Sequence, residues 1–82
     1  MRIGTVKGAV WATRKCAGLD GQTLLVTMFG HESLVAADLV GAGAGDTVLV
    51  ARGSCVRAMT DAPVDAAVVA ILDHAGGRYD NQ

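Results

Sequence analysis

Five short runs of β-forming residues are strung along this chain, with little room between them for helices. Met1 to Thr13 is rich in Ile, Val, Thr and Trp, and is interrupted by Gly4, Lys7 and Gly8. That composition favours a strand, and glycines within it suggest bends or bulges of the kind a sheet needs to curl into a barrel. Arg14 to Gln22 is polar, with Gly18-Leu19-Asp20-Gly21 at its tip, and reads as a loop. Thr23 to Phe29 predicts a second strand and Ser33 to Asp38 a third, joined by a short turn at Gly30-His31-Glu32 into a hairpin. Thr47 to Ala51 predicts the fourth strand and Val64 to Leu72 the fifth. Between them, Ser54 is placed to cap a helical turn running to Thr60, and Pro63 to open another. After Asp73-His74-Ala75, Gly76-Gly77 is a turn signal, and Arg78 to Gln82 is a short tail with room for an edge strand. Strands this short and this closely spaced imply an all-β protein, a small five-stranded OB-like barrel with one or two short helical turns. With 82 residues and no internal repeat or linker, residues 1–82 read as one domain.

A domain of this size buries only about 60% of the surface its unfolded chain exposes, so it is marginal alone. Hydrophobic residues make up 51% of the chain and charged ones 18%, an apolar excess that points to surface buried against partners and hence to an oligomer. Net charge is −1, whereas a nucleic-acid binder of this size carries a basic excess. Binding of single strands would also need a basic groove and stacking aromatics, and the aromatics are only Trp11, Phe29 and Tyr79. An OB-type binding module for single-stranded nucleic acid or oligosaccharide is nonetheless the alternative from a different functional class. Cys16 and Cys55 are far apart, form no CxxC pair and join no zinc-spaced cluster, so no metal, no cofactor and reduced cytosolic thiols are expected. No continuous apolar segment resembles a signal peptide or a membrane span; the longest run, Ala66 to Leu72, suits a buried strand. A soluble cytosolic protein with no membrane partner is the expectation.

The glycine-paced loop Gly41-Ala42-Gly43-Ala44-Gly45-Asp46 is the most distinctive local feature. Small residues at every position suit either a phosphate or a second copy of the chain packed closely alongside. The phosphate reading fails on chemistry. Asp46-Thr47 stands where a P-loop needs lysine, the spacing is GxGxG, and a strand follows rather than the helix N-terminus that attracts anions. Asp46 would also repel the ligand. A thiol enzyme would need Cys16 or Cys55 beside His31 or His74, and nothing in the sequence joins them. Cys55 is expected to be a small buried hydrophobe and Cys16 a loop thiol. Asp38, Asp46, Asp61, Asp65 and Asp73 fall mostly at predicted element ends, where Asp caps and turns, and no pair is selected for acid–base work. No catalytic residue is expected. Arg52 and Arg57 flank Gly53-Ser54, and are either ordinary surface arginines or partners for a neighbouring subunit's acids, such as Asp65 or Asp73.

Several stretches, in order, resemble one family. They are Met1-Arg2-Ile3 with Val6 and Gly8; Val35-Ala36-Ala37-Asp38; Val40-Gly41-Ala42-Gly43 with Gly45-Asp46 and Val48-Leu49-Val50; Arg52-Gly53-Ser54 with Arg57; and Pro63-Val64-Asp65 running on through Ala66 to Asp73. Together they are similar to the EutN/CcmL family, the pentameric vertex proteins of bacterial microcompartment shells. The resemblance implies a five-stranded OB-like barrel, a homopentamer rather than an enzyme, hexameric shell proteins as neighbours, and a bacterial cytoplasmic setting in the shell. It departs from the family in having only Gly30-His31-Glu32 where a longer segment often joins the second and third strands, and in a short tail after Asp73. A ring with a five-fold axis needs close backbone approach, which places Gly41, Ala42, Gly43, Ala44, Gly45 and Asp46 near that axis, around a narrow pore. Arg52, Gly53, Ser54, Arg57, Pro63, Val64 and Asp65 are then expected at the interface between subunits.

Overall fold

In the computed structural model of the chain, residues 1–73 are described; the turn and tail expected from His74 to Gln82 lie outside them. The strands are β1 (Arg2–Ala9), β2 (Leu24–Phe29), β3 (Glu32–Asp38), β4 (Thr47–Arg52) and β5 (Ala66–Ile71), with short 3-10 helices at Ala17–Leu19 and Gly53–Ala58. They close into a barrel in the order β1-β2-β3-β5-β4. Neighbours run antiparallel except β3 and β5, which pair in parallel through Ala37 with Ala67 and Asp38 with Val68. This is the five-stranded Greek-key barrel of OB type, as the strand spacing predicts.

Alternation places the core. Along β2, Leu25, Thr27 and Phe29 are buried while Leu24, Val26 and Met28 are half-buried on the outer side. Val6, Leu25, Phe29, Ala36, Val48, Val50, Ala66 and Val68 fill the interior. A five-stranded barrel is narrow, so valine and alanine suit most positions. The buried Thr27 hydroxyl donates to the Leu34 carbonyl at 2.8 Å, which satisfies it. Phe29 is the bulkiest member, and β1 makes room for it with Gly4: a Cβ there would lie 2.7 Å from Phe29 Cε1 and 2.8 Å from the Met28 carbonyl oxygen. The Arg2 guanidinium lies over the Phe29 ring, 4.4 Å from its centroid, and pairs with Glu32 at 3.2 Å. Outside the barrel, Val56 of the second 3-10 helix packs on Ala51 and Ala67, forming a smaller second cluster.

The β2–β3 hairpin runs in register from Leu24 opposite Ala37 to Phe29 opposite Glu32, so β3 begins one residue earlier than expected. Gly30, at φ +65°, supplies the positive φ that a two-residue II′ turn requires at its first position. β1 is shorter than the expected Met1 to Thr13. The Val10 N–H still bonds the Leu24 carbonyl, but β2 begins at Leu24 and offers no partner beyond it. The expected bulge exists between Val6 and Gly8, whereas Gly4 is a seat for Phe29 rather than a bend. β5 starts at Ala66, not Val64, where pairing with Arg52 begins. Pro63 opens no helix; the Val64 N–H closes a three-residue turn onto the Ala62 carbonyl at 2.8 Å. Ser54 caps nothing, because the 3-10 helix starts one residue earlier and its cap position, Arg52, makes no side-chain bond. Cys55 is exposed, not buried: its neighbour Val56 takes the inward position, and the Cys55 thiol donates to the Arg52 carbonyl at 3.0 Å. Cys16 is an exposed loop thiol, as expected.

Candidate assembly surfaces

The glycine loop leaves β3 and returns into β4 as two turns, each pinned by one aspartate. Asp38 Oδ1 accepts from the N–H groups of Val40, Gly41 and Ala42 at 3.1, 2.9 and 3.2 Å. Asp46 Oδ2 accepts from the Gly43 N–H at 2.8 Å, and the Asp46 N–H returns a bond to the Gly43 carbonyl. The loop's exit is laced to β1: Gly45 donates to the Val6 carbonyl and Val6 to the Asp46 carbonyl, both at 2.9 Å. Ala42 tucks against the core, while Gly41, Gly43, Ala44 and Gly45 are exposed. The glycines differ in kind. Gly41 and Gly45 have φ of +82° and +89°, so the backbone itself demands glycine there. Gly43 has no such φ, and a Cβ on it would meet nothing within 4 Å. Nothing inside this protomer requires Gly43 to be small. The role of Asp38 as a pin is absent from the glycine pattern; an Asp just ahead of closely spaced glycines is the signal that finds it.

Of the residues expected at a subunit interface, Arg57, Pro63, Val64 and Asp65 line one open groove of about 700 Å³. Arg52, Gly53 and Ser54 do not line it, although the Gly53 N–H bonds the Asp65 carbonyl at 2.8 Å and ties the two segments together. Sequence reasoning did not anticipate the remaining walls, which include Leu19, Leu24 and Val35. The groove lies over the outer face of β2 and β3, where Val26 pairs with Val35. A second apolar outer face runs across β1, β4 and β5, where Ile3 pairs with Leu49 and Leu49 with Ala70. Val35 is 48% exposed and Ile3 47%. β4 is separated from β2 by β1 and from β3 by β5, so these faces lie on opposite sides of the barrel.

For chemistry or base stacking the surface offers little. Among the described residues no three His, Cys, Asp or Glu side chains gather as a metal site, and no helix is long and apolar enough to cross a membrane. Cys16 precedes β2 and His31 follows it, so the length of that strand separates them. Phe29 is a core residue, which leaves Trp11 as the exposed aromatic among the described residues.

A small closed β-barrel with two unpartnered apolar faces and a pinned loop of small residues defines a class of assembling structural domain. Residues 1–73 match the family model described as "Ethanolamine utilisation protein EutN/carboxysome", and the chain belongs to that family. It is 46% identical to the carboxysome shell vertex protein CcmL of Synechococcus elongatus, with 89% of this chain and 84% of the relative aligned. That alignment runs over 83 positions, so the relative carries residues that this chain lacks. Among solved structures, the GrpN pentameric microcompartment shell protein from Rhodospirillum rubrum superposes with a TM-score of 0.80 at 39% identity, covering 89% of this chain and 94% of that one. CcmL of Nostoc sp. PCC 7120 superposes at 0.82 with 42% identity, covering 89% of each chain.

Proposed function

We propose that this chain is a structural protein of a bacterial microcompartment shell, acting in the cytoplasm as a homopentamer that caps five-fold vertices and catalysing nothing. The observation that carries the reading is likeness along nearly the whole described chain, at 46% identity, to a shell vertex protein, together with the matching fold of a pentameric one. The surface supplies a physical route. A cyclic ring needs two different patches on each protomer, one meeting the other on its neighbour. The apolar faces over β1-β4-β5 and β2-β3 are two such patches.

Within that ring, Gly41 to Asp46 face the axis, where a side chain repeated around the ring would collide; the unexplained smallness of Gly43 supports this placement. Arg52, Gly53, Ser54, Arg57, Pro63, Val64 and Asp65 lie at the subunit contact. Residues 1–82 act as one such domain, needing no cofactor, nucleic acid or membrane. The remaining outer rim meets hexameric shell proteins. Light scattering tests the reading: a mass of five protomers is expected, and a monomer over the whole accessible concentration range overturns it. Co-expression with a hexameric shell protein should give closed shells under the electron microscope only when this chain is present.

A further inference from the structure

The chain's sole tryptophan, Trp11, is 91% exposed. It belongs to an exposed run, residues 10–18, between β1 and β2. The backbone bond from Val10 to Leu24 anchors the stem of this loop while the indole stands clear of the barrel. Arg14 and Lys15 follow, with no acid before Asp20, so the indole has a basic flank. Trp and Arg are the side chains on which protein interfaces most often concentrate their binding energy.

The same chain carries a receptacle. The groove over β2 and β3 has Leu24, Val35, Pro63 and Val64 in its walls and Asp61 and Asp65 beside them. At about 700 Å³ this open groove is within the size range of small-molecule pockets and has room for an indole. Arg57 is the cation in its lining, and neither carboxylate has an ion-pair partner among the described residues. The exposure of Trp11 means that it does not occupy its own protomer's groove, although Leu19 from the same connection does line it.

We propose that Trp11 of one protomer seats in this groove of the next, with Arg14 and Lys15 facing Asp61 and Asp65. The inference rests on the pentamer reading and names one contact between neighbours in the ring. A knob and a hole at different places on one chain make a head-to-tail contact, which generates a ring when the rotation closes. Charge complementarity favours a second copy as the occupant: the basic flank of the indole matches the two carboxylates of the groove.

Because Trp11 is the only tryptophan, the chain's tryptophan fluorescence reports on the surroundings of this one side chain. In the assembled protein its emission should lie at shorter wavelength than in the chain unfolded in urea, with acrylamide quenching several-fold weaker. Trp11→Ala should fold normally by circular dichroism, since the indole is almost wholly exposed in the protomer, yet raise the concentration needed for assembly by about tenfold or more. Val35→Glu, on the groove wall, should do the same, and the double variant should be no worse than either alone, as for two residues in contact. A pentamer whose Trp11 emits and quenches as in the unfolded chain overturns the proposal and leaves the pentamer reading standing. A chain monomeric at every concentration overturns both. Burial of the indole only on addition of a hexameric shell protein overturns it by reassigning Trp11 to that neighbour.

Discussion

Gly4 and Gly43 both lack a positive φ, and glycine serves a different purpose at each. At Gly4 the reason is internal: the Phe29 ring and the Met28 carbonyl already fill the space a methyl would need. Gly4→Ala should therefore destabilise the fold by about 1–3 kcal/mol, the usual cost of overpacking, measured by urea unfolding at fixed protein concentration so that assembly does not shift the midpoint. At Gly43 the protomer offers no reason. Asp38 shows a third kind of residue-level necessity, since one carboxylate oxygen gathers three backbone N–H groups of the loop. Asp38→Ala releases them all and should cost about 1–2 kcal/mol, with hydrogen exchange accelerating at Val40, Gly41 and Ala42 before it does in the strands.

The second 3-10 helix, Gly53–Ala58, inserts one side chain against the barrel wall. Val56 is fully buried against Ala51 and Ala67, which leaves the outer side of β4 and β5 dry at that level. Val56→Ala should cost about 1.5–3 kcal/mol, read as a lower denaturation midpoint. The strands of this protein were legible in its sequence because alternation and glycine punctuation are local signals; Leu25, Thr27 and Phe29 announce their own face. The fate of Cys55 was not, because which residue of a short 3-10 turn points inward depends on Ala51 and Ala67, supplied by two other elements. Nor was the groove, whose walls come from residues 19, 24, 35, 37, 57 and 60–65, too scattered for any sequence period to join. The glycine loop was half legible. Its spacing revealed that small residues matter, but the division between Gly41 and Gly45, which bend the chain, and Gly43, which does not, required the backbone angles.

At the scale of the whole molecule, a chain of 82 residues whose barrel carries apolar outer faces has burial still to gain from further copies of itself. Gly43→Leu should leave the protomer's circular dichroism unchanged, since the added side chain meets nothing within it, yet lower the solution mass below that of a pentamer; a variant that still forms the full ring would remove Gly43 from the axis. Barrel closure has a kinetic consequence as well. β1 is paired on one side with β4, so Arg2 waits for Val50 and Ile3 for Leu49, and the seam cannot form until most of the chain has been synthesised. Contacts this distant in sequence make folding slow relative to helical domains of equal size, on the order of milliseconds to seconds. Until that seam shuts, the first strand keeps a bare edge exposed to other nascent chains. A barrel whose closing seam joins its first strand to its fourth must therefore finish folding before its outer faces exist to be shared with other copies.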